Sequence, residues 1–244
     1  MKIILKLSLL TILVLVSCTK KDDNMDDATS GTKISQIINN PSDPTFKLEF
    51  KYNQNTLTEV ALPIKETSRK IEYENEIASA INHYVNNEFA GTTKLIYQNN
   101  KLVKTDNGED SNNYLEFSYT NNKLSKVEQF FITDNQEITS QFTMEYVYDN
   151  QNVSKRVLTS DGSKTEYVYT YDNKDHYYNT IPESLRIYFF WPEGISVNNP
   201  LTTKIYSDEM FNSESNLEYI YNDLDLPTSR KQIDKDVTTV FTYE

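Results

Sequence analysis

One stretch, "FTMEYVYDNQNVSKRV" (142–157), carries the pattern on which the architecture of this chain rests. Phe142, Met144, Tyr146 and Tyr148 alternate with Thr143, Glu145 and Val147. A period of two is the strand signature, with one packed face and one wet face. The polar pair Asp149-Asn150 follows. Asp and Asn tolerate left-handed backbone angles and bond their own backbone, so they close tight turns. A second strand carrying Val153 completes a β-hairpin.

The same unit recurs: "FKLEFKYNQNTLTEV" (46–60), "TKLIYQNNKLVK" (93–104), "YLEFSYTNNKLSKV" (114–127), "TEYVYTYDNKDHYY" (165–178), "LEYIYNDLDLPTSR" (217–230), and a partial copy, "TVFTYE" (239–244). "KIEYENEI" (70–77) reads as a degenerate copy. The marker tyrosines are Tyr52, Tyr97, Tyr119, Tyr148, Tyr171, Tyr221 and Tyr243. Self-similarity of this kind dictates architecture. With only five glycines in the chain, Asn and Asp take the turn positions. The expected fold is mainly β: an antiparallel meander of hairpins forming a strongly curved sheet or incomplete barrel, its Tyr/Phe/Leu face inward. An open sheet of a dozen or so strands tends to curl, split or flatten.

Two insertions are expected to fill the concave side as one or two short helices. In 74–90, Ile77, Ile81, Tyr84, Val85 and Phe89 have helical spacing. In 177–200, Pro182 and Pro192 bracket a short helix with Leu185, Phe189 and Phe190 packing.

The stretch 148–173 resembles the tyrosine-aspartate (YD) repeat of Rhs-type proteins. It is closer still to uncharacterised Bacteroidota lipoproteins built from such repeats. The resemblance implies a repeat-built curved sheet. The chain is too short for the toxin-enclosing shell of the large Rhs proteins.

The front end addresses location. Met1-Lys2, Lys6 and the apolar run Leu7–Val16 form a basic start and short core, too short to span a bilayer but suited to a signal peptide over 1–17. Leu15-Val16-Ser17-Cys18 resembles the lipobox of bacterial lipoproteins, which implies cleavage before Cys18, its acylation and membrane anchoring. Lys21-Asp22-Asp23 resembles the export tag of Bacteroidota surface lipoproteins and implies the outer face of the outer membrane. Residues 18–45 read as a flexible acidic tether. Ile34, Ile37 and Ile38 stand out in it as a short helical turn or a first edge contact. Residues 46–244 form one β-repeat domain.

Cys18 is the only cysteine, so neither a disulfide nor a thiolate metal site is available. A net charge of -12 repels nucleic acid. The two histidines, His83 and His176, fall short of the usual zinc ligand set. No nucleotide-binding or hydrolase motif appears. No cofactor is expected, and the chain reads as a non-catalytic binding or structural protein of the cell envelope. The runner-up is a glycan-binding lipoprotein, with Trp191, Tyr188, Tyr177 and Tyr178 as stacking residues. The alternative for these rings is closure of the core. A glycoside hydrolase using two carboxylates is the weaker alternative. Acidic residues expected on the outer face of the strands, Glu49, Glu116, Glu145, Glu166 and Glu218, read most simply as solubilising. The partners expected are the membrane, through Cys18, and a glycan or envelope protein.

Overall fold

Pairs of residues at positive φ punctuate the chain: Asn75-Glu76, Asn86-Asn87, Asn99-Asn100, Asn121-Asn122, Asp161-Gly162 and Asp208-Glu209. Two consecutive left-handed residues make the type I′ turn, whose twist matches that of the strands it joins. The computed structural model describes residues 32–244 except 109–110, 134 and 191–193. Its strands are β1 (Ile34–Asn39), β2 (Phe46–Asn53), β3 (Thr56–Leu62), β4 (Thr67–Glu74), β5 (Ile77–Val85), β6 (Glu88–Gln98), β7 (Lys101–Asp106), β8 (Asn113–Thr120), β9 (Lys123–Ile132), β10 (Ile138–Asp149), β11 (Asn152–Ser160), β12 (Ser163–Asp175), β13 (Asn198–Ser207), β14 (Met210–Tyr221), β15 (Pro227–Gln232) and β16 (Val237–Tyr243). Among the described residues the one α-helix, α1 (Glu183–Phe190), lies between β12 and β13, after a 3-10 turn at Tyr177–Thr180.

Every strand pairs antiparallel with its sequence neighbours, and β1 pairs with both β2 and β16. The sheet is therefore a closed barrel, not the curved or incomplete one expected. The closing strand comes from Ile34–Asn39, inside the stretch read as tether. Ile37 faces Phe241 across the seam. Closure removes both unpaired edges, which would otherwise leave two rows of open backbone groups.

The segment 74–90 is a further correction. It is not a helix but the end of β4, all of β5 and the start of β6. Ile77, Ile81, Val85 and Phe89 recur every fourth residue, a spacing that satisfies a strand as well as a helix. The asparagine turns break the run, and Ile77, Val85 and Phe89 face solvent. The second insertion does contain a helix. Its first turn is closed by the Leu185 and Arg186 N–H groups, which donate to the Pro182 carbonyl at 3.0 Å.

The hairpin "YTNNKLS" (119–125) shows what each residue of the repeat does. Asn121-Asn122 make the turn. The Tyr119 hydroxyl donates to the Leu102 carbonyl of the preceding hairpin at 2.9 Å. Leu124 is buried, and its own carbonyl accepts from the next marker, Tyr148, at 2.9 Å. Lys123 reaches the Asn150 carbonyl of the next turn and lies over the Tyr148 ring. Ser125 is the extra residue of a β-bulge, and its hydroxyl donates to the Ser118 carbonyl at 3.1 Å. Tyr52, Tyr73, Tyr171 and Tyr243 donate to the Ile34, Leu57, Val153 and Pro227 carbonyls in the same way. Each of these six tyrosines thus ties its strand to a preceding one, whereas the Tyr221 hydroxyl donates to the Asp172 carboxylate. These turns define one end of the barrel, the tyrosine rim. Lys33, which leads into β1, lies at this rim beside Glu244.

The interior is a single apolar core. Leu48, Phe50, Leu57, Val60, Ile71, Ile81, Leu95, Phe117, Val127, Met144 and Phe241 line the wall, while Leu185 and Ile187 enter from α1. The outer wall is charged. Lys51 meets Glu59 across β2 and β3, Lys104 meets Glu116 across β7 and β8, and Lys204 meets Glu214 across β13 and β14. Lys47–Glu49, Lys126–Glu128 and Lys164–Glu166 pair along one strand. Exposed ion pairs add little stability. Their placement nevertheless decides which solvent the wall can face.

Candidate functional site

The insertion between β12 and β13 starts at the tyrosine rim and fills the lumen. His176 caps its first turn: Nδ1 accepts from the Tyr178 N–H at 3.1 Å, and its own backbone N–H donates to the Val197 carbonyl at 2.8 Å. The ring is fully buried and stacks on Tyr177 at 4.2 Å. Burial, with Arg186 and Arg230 nearby, pushes its pKa down to about 3. The ring is neutral in the folded protein and ionises near 6.5 once unfolded. Stability from this residue is therefore full above pH 6.5 and falls as the pH drops toward 3. From pH 6.5 to 4 the expected loss is about 3 kcal/mol, at about 1.4 kcal/mol per unit. Urea denaturation at pH 7, 5.5 and 4 checks this. His176→Asn keeps a capping acceptor but cannot titrate, so it should flatten the profile over that range.

Tyr177 and Tyr178 are buried as well. Tyr177 packs on Phe241 at 4.5 Å, and Tyr178 stacks on Phe190 at 4.0 Å. Neither presents a face to a ligand, which corrects the expectation of a four-ring platform. They close the core, because a wide barrel needs bulky side chains at its axis. Tyr188 is half-buried. Trp191 lies outside the described residues, as do Cys18, Lys21, Asp22 and Asp23.

Beyond the core, toward the rim opposite the tyrosines, the lumen becomes polar. The end of α1 meets the wall formed by β4, β5 and β6. His83 Nε2 contacts Thr93 Oγ1 at 2.9 Å, and the Thr93 hydroxyl donates to Asn107 Oδ1 at 2.7 Å. The Asn107 amide donates in turn to the Asn113 carbonyl at 2.9 Å. Because Thr93 uses its proton on Asn107, it must accept from His83, which places the imidazole proton on Nε2 and leaves Nδ1 an acceptor. The Tyr188 hydroxyl is 3.5 Å from the same Nε2. Arg69 pairs with His83 in register, and its guanidinium lies over the Phe189 ring, 5.8 Å from the centroid. Burial first, then the Arg69 charge, lowers the His83 pKa.

Sequence reasoning misses this group. One signal is present: the chain has only four arginines, Arg69, Arg156, Arg186 and Arg230. All four belong to the inner side. Arg156 lies over Tyr167, Arg186 donates to Asn179 Oδ1, and Arg230 donates to Thr239 Oγ1. The lysines of the ion pairs named above stand on the outer wall. Among the described residues no three His, Cys, Asp or Glu side chains converge as a metal site would need.

Fold and site together define a class: a closed antiparallel barrel, apolar and plugged inside, charged outside, with Arg69 and His83 meeting the end of α1 toward one mouth. No known family model and no curated protein matches the chain. Among solved structures it is similar to a porin-like protein from Bacteroides uniformis, with a TM-score of 0.49 and 12% identity over 86% of this chain and 96% of that one.

Proposed function

We propose that this chain is a lipoprotein of the bacterial outer membrane, facing the exterior, and that its barrel is a non-catalytic binding or structural module held in water. The charge distribution of the barrel wall carries this reading. A membrane barrel turns an apolar band outward and keeps polar groups inside. Here Lys51, Lys104 and Lys204 stand on the outside with their glutamates, and Phe50, Ile81 and Phe117 stand inside. Attachment to a membrane then falls to the acyl chains on Cys18.

Catalysis has no part in the proposal. Glu49, Glu116 and Glu166 are engaged with lysines on the convex wall. Glu145 and Glu218 share its outward register, opposite Lys126 and Lys231 on the neighbouring strands.

The location is tested by metabolic labelling with a clickable fatty acid. Wild type should incorporate the label and sediment with the outer membrane, and Cys18→Ala should lose both signals entirely. Replacing Lys21, Asp22 and Asp23 with alanine should keep the label but remove sensitivity to external protease. Label retained by Cys18→Ala would overturn the proposal.

A further inference from the structure

The cluster of Arg69, His83, Tyr188 and Phe189, toward the mouth opposite the tyrosine rim, combines three features. Its cation is unspent: Arg69 makes no hydrogen bond or ion pair among the described residues, and its guanidinium rests on the Phe189 ring. A guanidinium lying on an aromatic face keeps its five N–H donors available at the ring's edge. Among the described residues, no carboxylate pairs with Arg69. The charge acting on both His83 and Tyr188 is that of Arg69. Finally, the group is held in place. Arg69 and His83 sit on paired strands of a closed barrel, and His83 is oriented by the Thr93–Asn107–Asn113 chain. All of this occurs in a chain whose net charge is -12.

We propose that Arg69, His83, Tyr188 and Phe189 form a binding site for a small carboxylate-bearing ligand whose carboxylate is attached to a ring. The carboxylate takes the fork of Arg69, the geometry a guanidinium matches with two parallel hydrogen bonds. The adjoining ring packs on the faces of Tyr188 and Phe189. His83 Nδ1, held as an acceptor, takes a hydroxyl or N–H of the ligand. Uronic acids of acidic glycans carry this combination of carboxylate, ring and hydroxyls. The inference deepens the binding role proposed above. It does not depend on lipid attachment, and the wall's water-facing character survives if this site fails.

The test uses the two histidines as built-in reporters. Imidazole NMR spectra of the whole processed chain are followed while glucuronate, galacturonate, benzoate, glucose or inorganic phosphate is added. Either uronate should shift the His83 signals with saturation and leave those of buried His176 unmoved, while glucose, lacking the carboxylate, should not. Arg69→Gln should weaken uronate binding at least tenfold, with the His176 signals certifying an intact fold. Arg69→Lys should recover only part of it. Phosphate binding as tightly as a uronate would sink the carboxylate assignment. An unmoved His83 at millimolar uronate, or equal affinity in Arg69→Gln, would overturn the site altogether.

Discussion

Produced from Thr19 onward, without leader or acylated cysteine, the protein will run as a monodisperse species in detergent-free buffer and will not float with lipid vesicles. The expectation follows from the side chains on the outer wall. A lysine at the bilayer midplane of a barrel costs about 2–4 kcal/mol. The paired lysines of this wall, Lys51, Lys104, Lys126, Lys155 and Lys204 among them, would together cost about 10 kcal/mol even at the low end of that range. That is comparable to the entire stability of a typical domain. The core offers no compensation by inversion, because turning the wall around would put Leu57, Ile81 and Val127 in water. Size-exclusion chromatography and vesicle flotation measure the outcome. Aggregation that only detergent relieves, or co-flotation with vesicles, would contradict the reading of the wall.

Raising the pH will unfold the barrel in one cooperative step between about pH 10 and 12, the range opened by the tyrosine shifts. Burial raises the pKa of Tyr52, Tyr119, Tyr148 and Tyr243 well above the ordinary phenol value and that of Tyr73 to about 12. The folded-state values exceed the unfolded ones. The stabilisation is therefore complete below pH 10 and is lost as the pH climbs above it. Each group contributes up to about 1.4 kcal/mol per pH unit. Halved for the part of each ring that solvent screens, five together still give about 3 kcal/mol per unit. The mechanical cause is direct: a phenolate cannot donate to a neighbouring hairpin's carbonyl, and the carbonyl's dipole repels it. Tyrosinate absorbance and near-UV circular dichroism should change at the same pH. Tyr119→Phe with Tyr148→Phe should be less stable at pH 7 and less steep in its alkaline transition. Gradual titration near pH 10 with the fold retained would show that the tyrosine fasteners carry no weight.

Much of the wall can be read directly from the repeat. The alternation at Phe142, Met144, Tyr146 and Tyr148 assigns the strands and their inner face, and the asparagine pairs locate the turns. Even the lysine and serine of "NNKLS" stand out as recurring residues, although their partners do not. The partners that tie one hairpin to the next lie 16 to 27 residues away, so these roles emerge only after the hairpins are laid side by side. The helical reading of 74–90 fails for a related reason. A four-residue spacing cannot separate the two periodicities, and a barrel interior exists to select one of them only after the chain has closed.

Amino-acid order alone thus establishes whatever a few neighbouring residues settle among themselves: strand or turn at each repeat, which face is oily, and where the plug interrupts the meander. Side-chain alternation and backbone tolerance act over that short range. Closure and the Arg69–His83 cluster belong to the assembled barrel. Closure depends on twist accumulated over the whole meander until Ile34–Asn39 meets Val237–Tyr243, partners about 200 residues apart in the chain. The Arg69–His83 cluster depends on a helix end from one part of the chain arriving against strands in another, and short-range pattern holds no record of that meeting.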